Sequence, residues 1–298
     1  MSIITNQKQS FQRLTETNYA GGDAGLKRSL TKIAALTPTQ GFWCFTKGSS
    51  ITMPKVTIEK INFGGSLASN YKRYRSASAH KHRDGQTEHY IQDNSLITAA
   101  MLADGANPST SYVLHWEDGV SRYESFGSFI SEYTLNLSST KLPTQSCVWK
   151  CHNTKVGIST GTDVLARTDV PLIATAFAMR SDCSLSIAGT NTLFESLKCV
   201  LSNIVFEKEI ENGMEHVITS KEIKLSFTSI ETDTTLYNKD IASTIGDQAI
   251  VIATGKFTLT ISHCDVVPIV DSEAVMENGH RICSYDIFPT IATEVTLS

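Results

Sequence analysis

The sequence predicts a mainly β protein, a β-sandwich or barrel carrying one or two short helices, a long loop and an N-terminal arm. Three observations lead there. Runs such as Lys256-Phe257-Thr258-Leu259-Thr260-Ile261-Ser262 and Lys224-Leu225-Ser226-Phe227-Thr228 alternate charged or hydroxyl residues with apolar ones, the pattern of a half-buried strand. Turn dipeptides, Asp118-Gly119 and Asn212-Gly213 among them, punctuate the apolar runs. Helical periodicity is confined to brief segments, so the helical component is small.

The chain centres on Tyr112 to Leu137. Two stretches rich in aromatic and β-branched residues flank Asp118-Gly119, which readily supplies the positive φ angles of a tight hairpin turn. The second stretch outlasts an average strand and contains Gly127, which predicts a bulge or a close backbone contact there. A long, bent hairpin is the expectation.

At 298 residues the chain can bury a real core as one large β domain or two smaller ones. The composition places a polar arm with a short helix over 1–50 and a β-sandwich over 51–298, with a long inter-strand loop at about 66–106. A formal net charge of -4 and a pI near 6.1 exclude a strong whole-molecule pull toward nucleic acid or acidic lipid. The start has no apolar signal-like core, and no later stretch approaches the roughly 20 apolar residues needed to cross a bilayer. Synthesis and residence in cytosol, or in a particle assembled there, is expected, with no membrane insertion. Seven scattered cysteines then read as buried, reduced, small hydrophobes.

In chain order, Gly21-Gly22-Asp23-Ala24-Gly25 breaks the polar start, after which Leu26, Leu30, Ile33 and Ala34 fall at helical spacing and predict a short helix ending before Pro38. The rest of this region reads as an arm that only a neighbour can order. Val56, Ile58 and Ile61 predict a strand. Ser66 to about Ala106 holds few strand formers, with a brief helix over Ser95 to Leu102, and reads as a functional or partner-ordered loop. Beyond the central hairpin, strands are expected at Cys147 to His152, Leu185 to Gly189, Leu197 to Ile210, Lys224 to Thr228, Ile250 to Ala253 and Lys256 to Ser262. In the third of these, Val200, Ser202, Ile204, Phe206 and Lys208 share a face.

Sites for chemistry are hard to find. His80, His82 and His89 cluster in sequence, as do Cys147, Cys151 and His152, but no second ligand pair follows at a zinc-like distance. Two strand cysteines on one face also give a poor bite for one ion, so buried thiols and exposed histidines are the preferred reading. No Gly-x-Ser-x-Gly elbow occurs, and Gly161-Thr162 and Gly255-Lys256 lack the strand-to-helix context of a phosphate loop. Glu117, Asp118, Glu124 and Glu132 alternate as a solvent face does. Tyr71-Lys72-Arg73-Tyr74-Arg75 could stack on nucleic acid or anchor a protein interface, and the acidic balance of the chain favours the interface. Tyr71, Arg73, Tyr74 and Arg75, with His82 and Arg83, are therefore the candidate subunit contacts. No cofactor, metal or catalytic residue is assigned.

One resemblance organises these features. The segment Tyr112-Val113-Leu114-His115-Trp116-Glu117-Asp118-Gly119, continued by Arg122-Tyr123-Glu124-Ser125-Phe126-Gly127-Ser128-Phe129-Ile130-Ser131-Glu132-Tyr133-Thr134-Leu135, resembles a pattern in the tail tube proteins of tailed viruses with long, non-contractile tails. Ser196 to Glu209 and Lys256 to Ser262 are similar to that family's later strands. The resemblance implies a structural virion protein that performs no chemistry. Its subunits would form hexameric rings whose inner sheets join around a lumen, stacked into a tube in the virion tail. It implies as partners copies of itself, the tape measure, tail terminator and distal tail proteins, and viral DNA passing through without sequence-specific binding. Under it Ser66 to Ala106 is the stacking loop, Met1 to Leu36 reaches a neighbour, and Trp116, Tyr123, Phe126, Phe129 and Tyr133 belong to the ring-forming sheet.

Physical chemistry adds two arguments for this reading. Ring closure removes strand edges that invite uncontrolled pairing, and a neutral or acidic lumen lets a polyanion slide where a basic one holds it. The basic loop accordingly belongs between rings or outside. The runner-up is a carbohydrate- or receptor-binding β-sandwich using Trp43, Trp116 and Trp149 as sugar platforms, and a hydrolase with an unrecognised carboxylate pair or metal ranks last.

Overall fold

The Tyr112–Leu137 stretch folds as a bent hairpin, and the architecture follows from its second strand. The computed structural model describes residues 10–16, 50–51, 58–62, 71–75, 84–105, 108, 111–117, 121–158, 176–210, 213–231, 247–269, 275–277, 280–290 and 293–298. Strand β6 (Tyr112–Glu117) pairs antiparallel with β7 (Ser121–Ser138), an 18-residue strand. The first half of β7 lies between β6 and β9 (Asn153–Ile158), and its second half lies between β8 (Thr144–Lys150) and β12 (Phe194–Ile210). One strand thus serves two ladders.

The change of partner is made at Gly127. The register against β6 slips between Tyr112 and Leu114, and Gly127 sits at φ 59°, a left-handed conformation that costs a side chain roughly 1–2 kcal/mol. The bulge turns the Gly127 N–H toward a carboxylate. Glu16, at the end of β1 (Ser10–Thr15), accepts from Gly127 N at 3.1 Å and from Ser111 Oγ at 2.5 Å while itself buried. Strand β1 also pairs with β6 along its length, so Ser10 to Glu16 are held by the chain's own body rather than by a neighbour. The arm was expected to need a partner because it is polar, but backbone pairing with β6 and the buried Glu16 carboxylate hold this part. The helix expected around Leu26 to Ala34 lies outside the described residues.

Sixteen of the described strands form one antiparallel sheet. Its path runs through β11 (Thr190–Thr192), β10 (Ser184–Ile187), β14 (Gln248–Ala253), β15 (Thr258–Pro268), β17 (His280–Pro289), β13 (Gly213–Glu231), then β12, β7 and β8, to β5 (Gly85–Tyr90) and β2 (Ser50–Ile51). Short β16 (Val275–Glu277) adds to β17 and β18 (Val295–Leu297) to β15. The protein is mainly β, as its sequence predicts. Alternate residues of the middle strands, Tyr133, Leu135, Leu197, Cys199, Leu225, Phe227, Tyr285 and Ile287, face one core shared with Ile250, Ile252, Leu259 and Ile261 from the far end of the sheet. Phe227 and Tyr285 stack across neighbouring strands, centroids 5.1 Å apart. The sheet therefore curls round its core.

One helix, α1 (Ser95–Leu102), closes that core with Leu96, Ile97, Ala99 and Ala100. Asp93 starts it by accepting from Ser95 N at 2.9 Å and Ser95 Oγ at 2.6 Å. It stands where it was expected, but the loop expected around it is a correction. The described part of 66–106 also contains β4 (Tyr71–Arg75), registered against β3 (Ile58–Asn62), and β5, paired with β8. Strand β5 reads as polar because its inward positions are Gly85, Thr87 and His89. All three are buried, and the Trp149 indole N–H donates to Thr87 Oγ1 at 3.1 Å.

Gly127→Ala should lower unfolding free energy by about 1–2 kcal/mol in urea titration, and Gly127→Val by more, because only glycine adopts this conformation without strain. Burial depresses the His89 pKa from 6.5 to about 3. Below pH 6.5 the unfolded chain takes up a proton that the folded chain refuses, so stability falls with acidification between pH 6.5 and 3, by up to about 1.4 kcal/mol per pH unit. The urea midpoint followed over that range should show this slope, and His89→Gln should flatten it.

Candidate interaction surface

Strands β12 and β13, of 17 and 19 residues, are far longer than a compact sheet requires. Both stretches carry alternating β formers without a Gly or Pro interruption, so pairing runs from Phe194↔Ser229 to Ile210↔Gly213. The main sheet uses only the first half of β12 and the second half of β13. β7 lines β12 from Ser196 to Ser202, and β17 lines β13 from Leu225 to Glu231. Beyond those points the pair continues as an arm, with a register slip between Ile204 and Val205 that turns it.

The arm is clasped to the body at named points. Asn203 Nδ2 donates to Ala100 O at 3.1 Å and Ile130 O at 2.7 Å, which ties the root of the arm to the end of α1 and to β7. Lys221 Nζ donates to Met101 O, the next carbonyl of the helix C-terminus. Further out, Lys150 Nζ bridges Asp84 and Glu207, each at 2.8 Å. Burial works against the Lys150 ammonium, but the hydrogen bonds it donates to the two carboxylates outweigh it and raise its pKa. The buried His216 imidazole meets Phe129 edge to face, centroids 5.2 Å apart. At the tip, Met214 N donates to His152 O at 2.9 Å, and a Cβ on Gly213 would lie 2.2 Å from that same oxygen, so the backbone approach there requires glycine.

Among the described residues the body holds one face of the arm and leaves two edges without a partner strand. Among the described residues no strand takes the place of β7 along β12 beyond Ser202, and none takes the place of β17 along Thr219–Lys224 of β13. β17 stops at Pro289, which has no N–H to extend the ladder. A groove of about 1040 Å³ opens where it stops, lined by Met101, Ile223, Phe288 and Val295 among others. These features are the requirements for adding an extended strand.

The residues singled out from sequence are placed as follows. Tyr71, Arg73, Tyr74 and Arg75 all lie in β4, and His82 and Arg83 fall outside the described residues. Trp116 and Tyr123 are cross-strand partners on β6 and β7. Phe126, Phe129 and Tyr133 are on β7 but buried within the subunit, so these rings serve its core rather than a neighbour. Trp149 is fully buried, which removes it as a sugar platform. Cys151 and Cys199 are buried thiols pushed up by desolvation to about 12, far from nucleophilic. Among the described residues no cluster of three or more His, Cys, Asp or Glu is placed to hold a metal ion. No described helix is long and apolar enough to cross a membrane.

Sequence reasoning found the shared face of Val200 to Lys208 but not its significance: Ile204 and Phe206 on that face are exposed. Among the described residues the arm thus presents two strand edges that no other strand covers. No protein-family model matches the chain, and no curated protein matches it.

Asn203→Ala leaves two buried carbonyls without their donor and should cost about 1–3 kcal/mol in urea unfolding, with the loss centred on the arm root in hydrogen exchange.

Proposed function

We infer that this chain is a structural subunit that assembles with copies of itself by pairing one open edge of the β12–β13 arm with the other open edge on the next copy. The observation that carries this reading is the pair of open edges on opposite sides of one strand pair. When one edge pairs with the other on the next copy, each contact leaves a fresh edge exposed. A head-to-tail contact of this type closes into a ring if its rotation permits and otherwise grows without end. In a ring every edge is paired, which removes the aggregation hazard that an arm of this length would otherwise carry.

The outer face of the middle strands supports a lumen through which a polyanion passes, as in the tail tube proteins that the central hairpin resembles. It presents Ser226, Thr228 and Ser284 with Glu132, Glu222 and Asp286 against Lys198 and Lys224, so no basic stripe is present to retain phosphate. On this reading the product is a stacked tube of rings that delivers a viral genome, and the subunit needs no cofactor.

Concentrated purified protein should show rings and tubes in negative-stain micrographs. Amide exchange over Thr219–Lys224 should be fast in the dilute monomer and slow at least about tenfold on assembly, as pairing into a ladder does. A chain that stays monomeric in sedimentation at every concentration and salt, with exchange there independent of concentration, would overturn the reading.

A further inference from the structure

The arm divides into an inner and an outer part at the register slip between Ile204 and Val205, where the ladder joining β12 to β13 is interrupted. On the inner side Asn203 is bonded to Ala100 O and Ile130 O, and Lys221 to Met101 O, so this part is continuous with the body. The outer part comprises 205–210 of β12 paired with 213–218 of β13. Among the described residues it packs on the body through a small apolar cluster of its own: Ile218 and Val205 lie on Ala103 and Phe129, a group that shares no member with the main core. The buried His216 ring adds its edge-to-face contact with Phe129.

Polar bonds hold the outer part at a few further points. Lys150 Nζ reaches Glu207 Oε1 at 2.8 Å while it also holds Asp84 Oδ2. Met214 N donates to His152 O and Ile218 N to Gly105 O, each at 2.9 Å. Both N–H groups of β13 are thereby spent on body carbonyls rather than on a neighbouring strand.

We propose that the outer part of the arm is a flap that opens from the body as a unit, hinged at the 204–205 slip and latched by Lys150 on Glu207. A segment opens below the free energy of global unfolding when few apolar contacts and few bonds hold it, and the break in the ladder supplies the bend. The inner ladder need not break, since β7 and β17 flank it as far as Ser202 and Leu225. Opening uncovers Phe129 and Ala103. It also releases the N–H groups of Met214 and Ile218, so the edge of β13 without a partner strand lengthens from 219–224 to 213–224. The flap belongs to the single subunit and stands whether or not copies assemble.

Amide hydrogen exchange of the full chain, at a dilution where sedimentation shows monomer, reads the flap directly. Amides of 205–210 and 213–218 should open together, with protection at least about tenfold lower than that of 133–137 and 225–229 in the core. Lys150→Met removes the latch and should lower the flap's protection by a further factor of about ten, leaving the core segments unchanged. Lys224→Met breaks the Lys224–Glu222 pair, 3.2 Å apart on the inner part, and should leave the flap as it is. Glu207→Gln weakens the latch from the arm side while Lys150 keeps Asp84, and should move the flap in the same direction as Lys150→Met. If Lys150→Met does not fold, Glu207→Gln decides alone. One protection factor shared by flap and core, or a shift of both together in the latch variants, would sink the flap. Flap protection unmoved by the latch variants, or lowered as much by Lys224→Met, would sink the latch.

Discussion

The structure depends on β7 serving two ladders. A strand that pairs with β6 and β9 along its first half and with β8 and β12 along its second must bend between them, and a bend breaks the regular backbone pairing. Gly127 supplies the conformation, and the Glu16 carboxylate takes up the N–H that the bend releases. An unpaired N–H at that depth would cost about 1–3 kcal/mol, so the first strand of the chain completes the bend rather than decorating it. Everything downstream of the bend, including the root of the arm, inherits its direction.

The same economy of polar groups sets how the arm is held. The C-terminal carbonyls of α1 need donors, and Asn203 and Lys221 reach them from β12 and β13. Capping the helix and fixing the arm are thus one set of bonds. Lys150 between Asp84 and Glu207 does the same further out, joining β8 and the start of β5 to the arm in a partly buried site where a lone ammonium would be unfavourable. Together these bonds hold the arm where it leaves the body.

Most large apolar side chains of this fold are turned to its core. The aromatic rings of β7 that are conspicuous in sequence, Phe129 and Tyr133, are spent inside the subunit, as is Trp149 with its bond to Thr87. What the described residues of β12 and β13 leave at the surface is strand edge and the exposed apolar side chains of Ile204, Phe206 and Val217.

The mainly β class, the central hairpin, the bend at Gly127, α1 and most of the later strands were legible in the sequence. Each is a local property: alternation, a turn dipeptide, a glycine within a β run. Strand β5 was not legible, because its buried face is Gly85, Thr87 and His89, which look like loop residues until partners on β8 enclose them. Nor was the reach of β13, since no break in composition marks where one partner ends and open edge begins. Whether the face shared by Ile204 and Phe206 is core or surface depends on β7 having turned away at Ser202. Periodicity fixes which residues share a face, but what lies opposite that face is set by contacts distant in sequence, and only the tertiary structure decided it.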